Sequence, residues 1–126
     1  MTMRTPLAQV RGLGSAKEGT DHFWMQRLTA IANIVLTPVL VYSIVTHVGQ
    51  DHQTVKSFLG SPFIAILMML FILSGVIHMR LGMQVIIEDY VHSEWQKITL
   101  LIANTLFAIL IGMTSIFAIL KLSFGA

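Results

Sequence analysis

A chain of 126 residues that is 55% hydrophobic and 11% charged, with a formal charge of +2, reads as a small integral membrane protein, since a soluble domain carries about 25% charged residues. Its few Lys and Arg residues are scattered and offer nucleic acid no basic face. The absence of cysteine excludes disulfides, iron–sulfur ligation and thiol chemistry within the chain.

Residues 1–20 are polar and rich in small residues, among them Thr2, Arg4, Pro6, Gly14, Ser15 and Lys17, and they lack the apolar stretch of a signal peptide. A polar extension over 1–21 is therefore expected. Thr20 or Asp21 is placed to cap a first membrane helix over about 23–47, which Pro38 should kink. Gly49, Gln50, Asp51, His52 and Gln53 read as a polar loop. Ser61-Pro62 places proline in the first turn of a second helix over about 62–88. VHSEWQK, residues 91–97, reads as a short turn with Trp95 at interface level. A third helix over about 98–120 follows, closed by Lys121. Each stretch exceeds the roughly 20 residues that span a bilayer. The expected fold is all-α: one membrane-anchor domain, 1–126, with three transmembrane helices behind a polar N-terminal extension. The eight methionines suit adaptable apolar packing.

Lysine and arginine set the orientation. Arg4, Arg11, Lys17 and Arg27 precede or begin the first helix, and Lys97 lies between the second and third. Three spans place these five on one side, with Lys56 and Lys121 on the other. The positive-inside bias then puts the N-terminus and the Glu88-Asp89-Tyr90 end of the second helix inside, and the C-terminus outside.

The segment HMRLGMQVIIEDY, residues 78–90, carries the chemistry. His78 lies inside a long apolar run, and an imidazole in lipid is a functional candidate because leaving it unpartnered is costly. Ser74, Gly75 and Gly82 make a stripe of small residues around it. Two roles fit. In one, the glycines permit close helix packing and His78 hydrogen-bonds to a neighbouring helix. In the other, the small residues make room for a flat macrocycle and His78 is an axial iron ligand. A six-coordinate haem needs a second ligand at the same depth, which by residue count falls near Thr37 on the first helix and Phe107 on the third. Neither neighbourhood has a His or Met within a turn, and His22, His47, His52 and His92 lie at span ends or in loops. A haem with two protein ligands would therefore take the second from another chain.

Asp89 follows His78 by 11 residues, about 20° beyond three full turns and roughly 16 Å along the axis. One helix face thus carries a position near mid-membrane and another at the membrane edge. The Glu88-Asp89-Tyr90 end fits ordinary interfacial solvation. It equally fits a Tyr90 hydroxyl that donates to the carbonyl of a quinone whose tail stays in lipid. Carboxylates at a helix C-terminus oppose the dipole, which a basic partner domain would offset. Arg27 can snorkel to lipid phosphate. Arg80, about 200° around the helix from His78, points toward a partner chain or lipid.

The spacing from His78 to Asp89-Tyr90, with Gly82-Met83 and Gln84 between, resembles the hydrophobic membrane anchor subunit of succinate dehydrogenase (respiratory complex II). HFWMQRLTAI, residues 22–31, resembles the segment entering that family's first helix. The resemblance implies a subunit of a four-subunit succinate:ubiquinone oxidoreductase that couples the tricarboxylic acid cycle to the respiratory chain, in the bacterial inner membrane. A flavoprotein subunit would oxidise succinate and an iron–sulfur subunit would carry the electrons. This chain and a second membrane anchor, the cytochrome b subunit, would hold b-type haem and ubiquinone. By the same resemblance His78 is an axial ligand of the haem iron, Tyr90 hydrogen-bonds the quinone, Asp89 supports that site, and Arg27 meets a haem propionate with His22 nearby. Related fumarate reductase anchors lack this haem site, so His78 favours the succinate enzyme. Two other readings stand beside it. One is a structural anchor or assembly subunit without haem, in which His78 and Arg80 only join helices. The other is a small transporter subunit, which calls for more polar residues per helix or paired half-helices.

Overall fold

A computed structural model of the chain describes Met3 and residues 5–12 and 19–125. Thr2, Arg4, Gly14, Ser15 and Lys17 of the expected extension lie outside the described residues, as does Ala126. Among the described residues every regular element is helical: α1 (Pro6–Val10), α2 (Gly19–His47), α3 (His52–Leu59), α4 (Pro62–Tyr90) and α5 (Glu94–Ser123). α2, α4 and α5 have 29, 29 and 30 residues and are apolar enough to cross a membrane. At 1.5 Å per residue each is about 43–45 Å long, more than a hydrocarbon core of about 30 Å requires.

The ends of these helices follow local chemistry. In α1, Thr5 accepts from the Ala8 backbone N–H at 3.2 Å and Pro6 takes the first helical position. α2 begins at Gly19, so Thr20 and Asp21 lie inside its first turn instead of capping it, where the Asp21 charge suits the helix dipole. α2 runs on through Pro38. His52 and Gln53, read from the sequence as loop, open α3. Asp51 caps that helix: its carboxylate accepts from the Thr54 N–H at 3.1 Å and the Thr54 hydroxyl at 2.6 Å. The Thr54 hydroxyl first, and its amide second, hold the Asp51 carboxyl below its ordinary pKa. Phe58 of α3 stacks on the His47 ring with centroids 3.8 Å apart. α4 starts where expected, at Pro62, although the Ser61 hydroxyl donates back to the Phe58 carbonyl at 2.7 Å and leaves the new helix uncapped by its side chain. α5 starts at Glu94, not near Ile98. Glu94, Trp95, Gln96 and Lys97 form its first turn, with the Glu94 charge at the favourable end of the dipole.

α4 is the middle helix. It packs along α2 on one side and α5 on the other, while α2 and α5 have little direct contact. Small residues bring α4 and α5 together. Ala108 is fully enclosed, and a Cβ at Gly112 would stand 3.7 Å from a Val76 methyl. The Asn104 side chain donates to the Arg80 carbonyl oxygen at 2.9 Å. α3 folds back against the end of α5. Gly60 allows that approach, because a Cβ there would lie 2.7 Å from the Leu122 carbonyl oxygen. Most large apolar side chains point outward, as lipid or neighbouring subunits demand.

Candidate functional site

His22, Gln26, Thr29 and Asn33 recur along α2 at intervals of four, three and four residues, which aligns them on one helix face. This face meets α4. Thr29 is 5% exposed and Ser74 8%. The Ser74 hydroxyl donates to the Thr29 carbonyl oxygen at 3.0 Å. One turn further along α4, His78 Nδ1 lies 3.2 Å from the Thr29 hydroxyl oxygen. A Cβ at Gly82 would stand 3.5 Å from the Gln26 side-chain nitrogen. Ser74 and Gly82 therefore serve the α2–α4 contact, whereas a Cβ at Gly75 would meet nothing within 4 Å. The stripe of small residues splits between packing and open space.

His78 is half-buried. Its Nδ1 is engaged by α2, and its Nε2 has no partner among the described residues yet is not sealed from the surface. The ring is 12 residues from Tyr90, about 18 Å along the helix, which places it near the middle of α4. Its level on α2 is Thr29, not the neighbourhood of Thr37. The residue count took the inner ends of the helices as level, but the Ser74 and His78 bonds to Thr29 set a different stagger. No His lies within a turn of Thr29: His22, the nearest in sequence, is seven residues away, whereas Met25 lies four residues away and is exposed. Polar atoms of the same stripe are buried without a partner among the described residues: His22 Nε2, Gln26 Oε1 and Asn33 Oδ1.

The other expected site residues stay apart from His78. Arg27, two residues before Thr29, turns about 200° away from α4. It is exposed and lies over the Phe23 ring, 5.0 Å from its centroid. Asp89 and Tyr90 are exposed at the end of α4, and Asp89 has no ion pair or hydrogen bond among the described residues. Tyr90 closes one end of an apolar groove of about 570 Å³ between α4 and α5 that runs up to Met79 and Phe107. Gln84 donates to Glu88 at 2.8 Å, so Glu88 is engaged within the helix. Arg80 is exposed, with its backbone carbonyl held by Asn104. His47 is occupied by Phe58 and donates from Nδ1 to the Ser43 carbonyl at 2.8 Å. His52 and His92 are exposed outside the α2–α4 contact. Sequence reasoning passed over Thr29. Its signal was the spacing with Gln26 and Asn33, read together with Ser74 and His78 one turn apart on the other helix.

Three long apolar helices with one half-open histidine at mid-span define a multi-pass membrane subunit built to work beside other chains. Residues 1–112 match the family described as succinate dehydrogenase/fumarate reductase transmembrane subunit, and the chain belongs to that family. It is 30% identical over 122 residues to the succinate dehydrogenase hydrophobic membrane anchor subunit of Paracoccus denitrificans, covering 97% of this chain and 94% of that one. It is 33% identical over 116 residues to the protein of the same description from Rickettsia bellii, covering 92% and 93% of the two chains. A succinate dehydrogenase membrane anchor subunit of Reclinomonas americana is 39% identical over 85 residues, covering 65% of this chain and 71% of its own. No solved structure gives a significant match.

Proposed function

We propose that the chain is the hydrophobic membrane-anchor subunit of a succinate:ubiquinone oxidoreductase, that His78 is one axial ligand of its b-type haem, and that Tyr90 and Asp89 belong to its ubiquinone site. The observation that carries this reading is the state of His78: mid-span, tied to α2 through Nδ1, with Nε2 free of any partner among the described residues. The residues present fit the group. Gly75, nearly one turn from His78, has open space where a side chain would stand. His78 would hold the haem from this chain, and the other membrane anchor, the cytochrome b subunit, would supply the further ligand.

Bound haem supplies one-electron transfer. The residues of this chain bind and orient it. His78 Nε2 is the ligand atom. Arg27 is unpaired with any carboxylate among the described residues and is proposed for a propionate on the family resemblance alone, since it lies on the side of α2 away from His78. At the other level, the Tyr90 hydroxyl donates to a quinone carbonyl, with the α4–α5 groove offering an apolar path for the tail. Asp89 beside it supports that site or the interface to the iron–sulfur subunit. Succinate chemistry belongs to the flavoprotein. The basic residues of the N-terminal part and Lys97 support an orientation with the Tyr90 end inside, in what we take as a bacterial inner membrane.

The test is His78→Leu in the purified complex. The Soret and α bands of the b haem should be lost or shifted. An unchanged spectrum would reduce His78 to a helix-joining residue and leave a structural anchor without haem ligation.

A further inference from the structure

The Thr29 hydroxyl carries one proton and has three polar neighbours: the Met25 carbonyl at 2.7 Å, the Gln26 carbonyl at 3.2 Å and His78 Nδ1 at 3.2 Å. Two oxygens 2.7 Å apart repel unless a hydrogen lies between them, so the proton is committed to the Met25 carbonyl. What Oγ1 presents to His78 is then a lone pair. That contact is favourable only when Nδ1 carries the imidazole proton. In neutral imidazole with Nδ1–H the lone pair sits on Nε2, the nitrogen that has no partner among the described residues. Thr29 is itself held in place, because its carbonyl accepts from Ser74 across the helix contact at 3.0 Å. At 5% exposure, little water competes for either group.

We infer that Thr29 is the positioning residue of the haem ligand: its hydroxyl oxygen accepts from His78 Nδ1–H and fixes the tautomer and ring plane that aim Nε2 at the iron. This rests on His78 being that ligand. Pulling the Nδ1 proton toward oxygen also makes Nε2 a stronger donor, which favours ferric over ferrous haem.

The test compares the purified complex carrying Thr29→Val, Thr29→Ala or Thr29→Ser. Val replaces the hydroxyl by a methyl of similar size, Ala removes it without adding an atom, and Ser keeps it. The readouts are the haem midpoint potential and the rate of haem transfer to excess apomyoglobin, neither of which depends on turnover. The Val and Ala complexes should have a raised potential and lose haem about 10-fold or more faster, within the roughly 10–100-fold typical of a lost outer-shell partner. Thr29→Ser should behave as wild type. Wild-type potential and haem retention in both hydroxyl-free variants, with His78→Leu still losing the haem spectrum, would overturn the role of Thr29 and keep His78 as ligand. Equal losses in all three variants would assign the effect to packing and overturn the hydrogen-bond role. An unchanged spectrum in His78→Leu would overturn both.

Discussion

The Tyr90 hydroxyl, on a residue 77% exposed at the end of α4, has no hydrogen-bond partner among the described residues. The fold of this chain does not use it. Tyr90→Phe should leave the haem spectrum and succinate oxidation by a soluble dye at wild-type levels and lower succinate–quinone turnover. One net hydrogen bond of about 0.5–1.5 kcal/mol corresponds to a roughly 2- to 10-fold weaker quinone. Steady-state kinetics with varied quinone checks this, and unchanged quinone kinetics would make Tyr90 an interfacial anchor. Gly75 separates the chain's own needs from a neighbour's in the same way. A Cβ there meets nothing within 4 Å, and Gly→Ala in a helix gains about 1 kcal/mol of propensity. Gly75→Leu should therefore insert normally yet lower the haem-to-protein ratio of the purified complex, because the space it fills is the one proposed for the macrocycle. A wild-type ratio would place the haem elsewhere.

α3 and its junctions lie at the end of the bundle away from Tyr90. A Cβ at Gly60 would meet backbone oxygen, which no rotamer change relieves. Gly60→Ala should cost about 1–3 kcal/mol as overpacking does, read as a lower thermal midpoint of the solubilised complex. Gly19→Ala, where a Cβ meets nothing, should not lower it. Asp51 contributes to α3 as a carboxylate accepting from Thr54. Its folded pKa lies below its unfolded one, so the contribution is present above the ordinary carboxylate range and fades as pH falls through the lower folded value. Hydrogen exchange at the Thr54 amide should follow that course, and Asp51→Ala should remove the protection at neutral pH. The three spans were legible because an apolar run longer than a bilayer admits few alternatives. α3 was not, since eight mixed residues give barely two turns of periodicity. The first turn of α5 was hidden because Glu94, Gln96 and Lys97 look like loop, although a helix entering the membrane keeps such residues at its mouth. His78 stood out by its chemical type alone. Thr29 did not, since an isolated threonine in a span usually satisfies itself on its own carbonyls, and only the stagger of α2 against α4 shows that its remaining lone pair has a second use.

Across the whole molecule, three crossings separate the Gly19 end of α2 from the Ser123 end of α5. A reporter fused to the C-terminus should be active as alkaline phosphatase and dark as a cytoplasmic fluorescent protein. A cytoplasmic C-terminus would contradict both the orientation and the meeting of Tyr90 with a soluble electron donor. The arrangement of α2, α4 and α5 also has a consequence in time. The Thr29, Ser74 and His78 bonds lie wholly within the first two spans, while α5 packs along the far flank of α4 and, at its end, against α3. α4 leaves the ribosome ahead of α5, so the α2–α4 pair can close before α5 packs against it. The histidine would then be set against α2 before the third span packs, and a proposed cofactor or sister subunit would meet that half of the site already formed.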